Sequence, residues 1–173
     1  MVIPYCLKKG DCAMTELTGR ARMGADAQAR GLIIDVVERP PADSLAHAAL
    51  LLGLHPQQIV KSLIVRRHTP KDSPSEYLFA LIPGDRQISW TKLRSVVGVN
   101  RLSLPSAVLA FEATGYERGT ITPLGSTGAW PVYADASMVG CRIALGAGEH
   151  GYSAFVDADS LIAAYAATVA DIS

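Results

Sequence analysis

The sequence has few cysteines, no long apolar stretch and no excess of charge of either sign. Its three cysteines, Cys6, Cys12 and Cys141, show no CxxC or other metal-ligand spacing, so we expect no disulfide framework and a reducing, cytoplasmic location. No apolar run approaches the ~18–20 residues of a membrane helix. Basic and acidic residues balance at 16 each, which argues against an overall field that attracts DNA or a membrane but allows a local basic patch for one end of an RNA.

Signatures of several enzyme classes are also missing. The sequence contains no Walker A motif, no dinucleotide-binding fingerprint after the first predicted strand, no G-x-S-x-G and no HExxH. The four histidines, His47, His55, His68 and His150, are scattered without ligand spacing. We therefore expect neither a catalytic metal nor a cofactor.

Length and composition predict a single domain. With 173 residues, 49% of them hydrophobic, the chain can bury a core without a disulfide or a metal. Met14 directly precedes a polar, helix-like stretch. Residues 1–13 are therefore interpreted as an N-terminal extension, without the charge order of a signal peptide, and residues 14–173 as the domain.

Short apolar runs separated by glycine and proline predict more strands than long helices. The expected strands are 32–37, 59–65, 77–83, 130–135, 141–145 and 152–156, and the expected helices are 15–30, 45–52, 89–98, 105–115 and 161–169. Because short loops favour hairpins over βαβ crossovers, the predicted fold class is α/β, with one mixed, largely antiparallel sheet surrounded by helices.

Two features suggest a ligand site: a lysine within an apolar strand and a loop rich in glycine and proline. Lys61 shares a predicted strand face with Ile59 and Leu63, where its burial is costly unless an anion meets it. An edge lysine that reaches water is the alternative. The loop at residues 115–125 holds three glycines and a proline, which allow a ligand close to the backbone and fix the chain elsewhere. A purely structural turn is the alternative for the loop.

Four motifs in the expected order resemble one family. They are QIVKSL at residues 58–63, PGDRQI at 83–88, TGYERGTITPLG at 114–125 and GEHG at 148–151. Together they resemble the YbaK/prolyl-tRNA-synthetase-associated editing domains, over about residues 15–172. The resemblance implies an α/β fold on a curved mixed sheet. It also implies a deacylase that acts on mischarged aminoacyl-tRNA, typically tRNA(Pro) carrying Ala, Cys, Ser or Thr, through the acceptor end, and it leaves a homodimer open.

The resemblance also assigns site residues. Lys61 matches the family's essential lysine and Gly119 to Pro123 match its G-x-x-x-P loop, which makes Lys61, Gly119 and Pro123 the expected catalytic positions. The expected substrate-binding residues are Ser62, Thr120, Ile121, Thr122, Gly148 and His150. Alanine-specific members tend to carry asparagine at the position of Ser62, so the amino acid that is removed stays open.

The chemistry of the expected site is consistent with ester hydrolysis. An aminoacyl ester is already activated, so it needs a positioned water and a stabilised oxyanion more than a strong nucleophile. Loop N–H groups can stabilise the oxyanion, Lys61 can hold a phosphate or the carbonyl oxygen, and a small pocket selects by size. A non-catalytic module that binds tRNA ends or a nucleotide is the alternative. Asp85 and Arg86 are expected to be mainly structural, with Arg86 bracing a neighbouring loop.

Overall fold

The computed structural model describes residues 17–68 and 74–173, so the expected boundary after residue 13 lies outside the described residues. Helices and strands alternate irregularly along the described chain. The helices are α1 (Gly19–Ala29), α2 (Leu45–Leu51), α3 (Trp90–Val97), α4 (Ala107–Thr114) and α5 (Ala158–Ala164). The strands are β1 (Asp35–Glu38), β2 (Val60–Arg67), β3 (Glu76–Pro83), β4 (Leu102–Ser103), β5 (Val132–Asp135), β6 (Arg142–Gly146), β7 (Tyr152–Asp157) and β8 (Thr168–Ala170).

The strands form two sheets that meet at one point. A three-stranded antiparallel sheet has the order β1-β7-β6, and a five-stranded sheet has the order β4-β2-β3-β5-β8. In the larger sheet β5 pairs in parallel with both β3 and β8, whereas the other pairs are antiparallel. Within the described residues, one bridge between Ile59 and Ala144 joins the sheets. The mixed, largely antiparallel character is thus confirmed, while the division into two sheets differs from the expected single one because β6 pairs with the chain beside β2 only at this bridge, just before the strand begins.

Alternate side chains of β2 enter two different cores. Val60 and Ile64 pack into the larger core, together with residues of β6 and β7. Val65 points to the other face, where it packs with Leu93 of α3. The period-two pattern in the sequence predicts this alternation, and it places Ser62 on the face of the larger core.

Helix ends follow the local signals in the sequence, with one exception. Ser44 caps α2 by accepting from the His47 N–H, and Asp157 caps α5 by accepting from the Ser160 N–H. The prediction of helix to residue 169 is wrong, since α5 ends at Ala164 and residues 168–170 form β8. The turn runs through Ala166 at φ +44°, and β-branched residues follow it along the free edge of β5.

Asp135, at the end of β5, anchors the last residues of the chain. Its carboxylate is 1% exposed and accepts from the Ser137 N–H (3.0 Å), the Ile172 N–H (3.2 Å) and the Ser173 hydroxyl (2.7 Å). The Arg86 guanidinium lies 4.0 Å away and also reaches the Ser173 hydroxyl. Burial alone would raise the pKa of Asp135, but these hydrogen bonds outweigh burial and hold the pKa below its usual value. The contacts of Arg86 agree with the bracing role expected for it.

Asp135→Asn is expected to lower the free energy of unfolding at pH 7 by about 2 kcal/mol, the scale of hydrogen bonds to a buried charged group. A carboxyl with a lowered folded pKa gives stability that is present above its unfolded pKa of about 3.9 and is lost as pH falls through the folded pKa. Urea unfolding between pH 2.5 and 7 should therefore show a free energy of unfolding that falls less steeply with decreasing pH for the variant than for the wild type. Asp43→Asn, at a 97% exposed side chain, is the control. If the free energy of unfolding of Asp135→Asn fell with pH in parallel with that of the wild type, the stabilising role of the Asp135 carboxylate would be contradicted.

Candidate active site

Two adjoining cavities lie where the two sheets meet. Their volumes are about 390 Å³ and about 370 Å³. Val60, Lys61, Gly119 and Gly146 line both cavities, which together form one cleft along the outer edge of β2. The structure thus brings the strand lysine and the glycine loop to the same cleft.

Lys61 is a partly desolvated cation at this cleft. Its side chain leaves β2 on the face of Val65, and its amine donates to the carbonyl of Arg86 in the turn after β3. Burial lowers the pKa of Lys61, and the Asp85 carboxylate offsets part of that shift. The turn at Asp85 and Arg86 therefore does more than brace the C-terminal segment, because it also sets the position and charge environment of Lys61.

The glycine loop is held against the end of β6. The N–H and the hydroxyl of Thr120 both donate to the Glu117 carbonyl, at 3.0 and 2.9 Å, and this tight turn places Gly119 at φ +88°. A Cβ on Gly146 would lie 2.5 Å from the Ile121 carbonyl oxygen. The loop can approach β6 this closely only because position 146 has no side chain.

Two N–H groups of this loop are free to bind a ligand. Those of Gly119 and Ile121 have no acceptor among residues 17–68 and 74–173, and both residues line the first cavity. Unpaired backbone donors at a cavity are suited to a developing oxyanion. The chain therefore offers the donors that ester hydrolysis needs.

Three of the expected substrate-binding residues border a neighbouring cavity. Thr120, Gly148 and His150 line a space of about 270 Å³ together with Phe111. His150 is 66% exposed, and its Nε2 lies 3.1 Å from a carboxylate oxygen of Glu117. Its ring is close to the cleft nonetheless, since a Cβ at position 119 would lie 3.6 Å from the imidazole Cε1.

Two expected site residues point away from the cleft. Thr122 is fully buried, and its hydroxyl accepts from the Leu124 N–H at 3.3 Å. Pro123 lines a different cavity, beside Trp130. In this structure both residues support the shape of the loop, while Lys61, Ser62, Gly119 and Ile121 line the first cavity.

The sequence analysis missed two arginines of the cleft. Arg118 lines the first cavity and donates to the Pro105 carbonyl at 3.5 Å. Arg39 lines the second and donates to the Ser153 hydroxyl at 3.1 Å. The place of Arg118 inside the glycine loop is a signal that could have found it, whereas Arg39 has no local signal. With Lys61, these guanidinium groups give the cleft the positive charge that a phosphate requires.

No group of three or more His, Cys, Asp or Glu side chains placed to hold a metal ion occurs among residues 17–68 and 74–173. Within the same ranges, none of the helices has the length and apolar character needed to cross a membrane.

Comparison with known proteins identifies the family. The family model of the aminoacyl-tRNA editing domain matches residues 39–164. The proline–tRNA ligase of Bacillus velezensis is 23% identical over 137 residues, which are 77% of this chain and 23% of the ligase. That of Lactobacillus gasseri is 29% identical over 117 residues, 67% of this chain and 20% of the ligase. The chain thus spans about a quarter or less of the length of these ligases.

Solved structures agree with the predicted fold. A crystal structure described as a candidate trans-editing enzyme for prolyl tRNA synthetase superposes with a TM-score of 0.78 at 25% identity. The match covers 89% of this chain and 96% of the other. The α/β fold with mixed sheets is therefore confirmed. Because the family model matches well over half of the sequence, the chain belongs to the YbaK/prolyl-tRNA-synthetase-associated family of aminoacyl-tRNA editing domains.

Proposed function

We propose that the protein is a trans-acting deacylase that hydrolyses the ester of a mischarged tRNA, with tRNA(Pro) as carrier and a small amino acid such as Ala, Cys, Ser or Thr as the group removed. The observation that carries the proposal is the cleft in which Lys61 and the unpaired loop N–H groups of Gly119 and Ile121 occur together. Membership of the editing-domain family supports the reaction class. The likeness to a candidate trans-editing enzyme supports action as a separate protein.

The proposed mechanism uses positioning and electrostatics. A water attacks the ester carbonyl, and the loop N–H groups of Gly119 and Ile121 stabilise the oxyanion that forms. The bond between the carbonyl carbon and the ribose oxygen then breaks, and the ribose oxygen takes the proton that the attacking water gives up as the tRNA leaves. Lys61 holds the phosphate of the terminal adenosine or the carbonyl oxygen, and the nearby arginines Arg39 and Arg118 attract the phosphates of the acceptor end.

The remaining predicted residues have supporting roles in this proposal. Ser62 and Ile121 shape the space for the amino acid, and the side chains that line this space select the amino acid by size. Thr120, Gly148 and His150 border the acceptor end from the neighbouring cavity. Thr122 and Pro123 hold the loop in the conformation that presents its N–H groups.

The test is hydrolysis of a panel of charged tRNA(Pro) molecules. Ala-, Cys-, Ser- and Thr-tRNA(Pro) are compared with correctly charged Pro-tRNA(Pro), and we expect at least one mischarged form to be deacylated faster than Pro-tRNA(Pro). The rates should not change on addition of a chelator. Tight binding of the panel without hydrolysis of any member would contradict the deacylase and favour a module that only binds tRNA ends.

A further inference from the structure

One edge of β2 is paired along its whole length, and the other is not. β3 pairs with every residue of the strand from Val60 to Arg67. On the outer edge, within the described residues, β4 pairs only with Arg66 and Arg67, and β6 pairs on this side only at Ile59, just before the strand. A gap in the sheet therefore lies between these two contacts.

The hydrogen-bond pattern decides which groups face this gap. The N–H of Phe79 donates at 2.8 Å to a carbonyl just before β5, away from β2. Phe79 lies opposite Ile64, and opposite residues of an antiparallel pair exchange both hydrogen bonds or neither. Ile64 therefore turns its N–H and C=O to the outer edge, and by alternation so does Ser62. Pro83 agrees with this register, because it lies opposite Val60 and has no N–H to donate.

These outward-facing groups open into the first cavity. Ser62 and Ile64 both line it, and among residues 17–68 and 74–173 no strand pairs with them on this side. The Ser62 hydroxyl is buried and also has no hydrogen-bond partner there. Buried polar groups of a folded protein are normally paired, so this cluster indicates a ligand.

The size of the gap limits what can fill it. β6 closes one end at Ile59 and β4 closes the other at Arg66, so only three outward-facing residues, Val60, Ser62 and Ile64, lie between them. A strand from another protein needs a longer free edge to add to a sheet. The gap fits a ligand that offers the donor and acceptor of one amino-acid residue.

We propose, building on the deacylase function, that this gap binds the aminoacyl group of the substrate as if it were one residue of a missing strand. The substrate's α-nitrogen donates to the Ser62 carbonyl, and its ester carbonyl accepts from the Ser62 N–H. That carbonyl oxygen has two lone pairs, so a loop N–H at Gly119 or Ile121 can share it. Among residues 17–68 and 74–173, no carboxylate lines the first cavity, and backbone carbonyls therefore supply the acceptors for the α-nitrogen.

The pairing explains how the site can accept several amino acids. Every aminoacyl group carries the same nitrogen and carbonyl, so the edge of β2 recognises what the substrates share. The side chain is then selected by the space around Leu104 and Ala110.

The test uses 3′-(alanylamino)-3′-deoxyadenosine, whose amide resists hydrolysis, and 3′-amino-3′-deoxyadenosine, which lacks the aminoacyl group. Their affinities are measured by calorimetry on wild type, Ser62→Ala and Ser62→Pro. Proline removes an N–H that makes no sheet bond, a change that edge strands tolerate, whereas alanine reports the contribution of the hydroxyl. We expect Ser62→Pro to bind the alanyl compound about tenfold more weakly than Ser62→Ala does, with no such difference for the amino compound.

Amide hydrogen exchange of the wild-type protein gives a second readout that needs no folded variant. The alanyl compound should slow exchange at Ser62, while Leu63, paired with β3, is protected with or without ligand. Equal affinities of the two Ser62 variants for the alanyl compound, or unchanged exchange at Ser62 under saturation, would overturn the inference even if mischarged tRNA is hydrolysed. Slowed exchange without any hydrolysis would support the subsite and contradict the deacylase.

Discussion

Lys61→Ala is expected to lower the rate of aminoacyl-tRNA hydrolysis by on the order of 10²–10³, the usual effect of removing one group that stabilises the transition state. Lys61 lines the cleft that Gly119 and Ile121 of the loop also line. His150→Ala should have a smaller effect, because that side chain is largely exposed and borders the neighbouring cavity. Single-turnover deacylation of Ala-, Cys-, Ser- and Thr-tRNA(Pro) by wild type and both variants measures the difference.

The same substitution should leave the protein folded. Burial lowers the pKa of Lys61, so the charged amine is less stable in the fold than in water, and alanine removes that cost. The matched control is Lys92→Ala, whose amine donates to Asp171 (2.8 Å) and to the Ser173 carbonyl (2.6 Å) and which lines neither cavity of the cleft. The control should melt at a lower temperature and hydrolyse normally. If folded Lys61→Ala deacylated tRNA at the wild-type rate, the role of Lys61 in the proposed mechanism would be contradicted.

Local signals in the sequence predicted the elements that hold the site. Alternation of apolar residues predicted the antiparallel pair of β2 and β3, and Gly98 and Gly115 predicted the ends of α3 and α4. These features depend on residues a few positions apart, so a single sequence carries them. Burying a lysine charge within an apolar strand costs free energy, and this cost marked Lys61 as a candidate ligand-binding residue. In the structure Lys61 lines the cleft.

Features that depend on distant contacts were missed. The alanine-rich end of the chain resembles a helix, but residues 168–170 form a strand because β5 offers them a free edge. Likewise, no local pattern marks where β4 and β6 stop pairing with β2, so the gap beside Ser62 could not be predicted. The separation of His150 and Pro123 into other cavities depends on how the loop packs on β6, which the spacing of glycines does not determine.

Gly146→Ala is expected to lower the rate of hydrolysis by on the order of 10², although position 146 carries no functional group. Its Cβ would lie 2.5 Å from the Ile121 carbonyl oxygen and 2.7 Å from that of Thr120. Both are backbone atoms, which cannot rotate away, so the loop must move by a substantial part of an ångström. A displacement of about 1 Å in a catalytic constellation costs about 10²-fold in rate.

The expected loss is in kcat, because in the proposed mechanism the shifted loop no longer places the N–H groups of Gly119 and Ile121 at the oxyanion, while Lys61 on β2 keeps its position. Overpacking should also lower the free energy of unfolding by about 1–3 kcal/mol. Gly24→Ala is the matched control, since a Cβ at that position of α1 has no atom within 4 Å. That control should gain up to about 1 kcal/mol from helix propensity and keep wild-type kcat. Wild-type kcat in folded Gly146→Ala would show that the close contact between the loop and β6 does not position the donors, and the oxyanion role of the loop would then have to be abandoned.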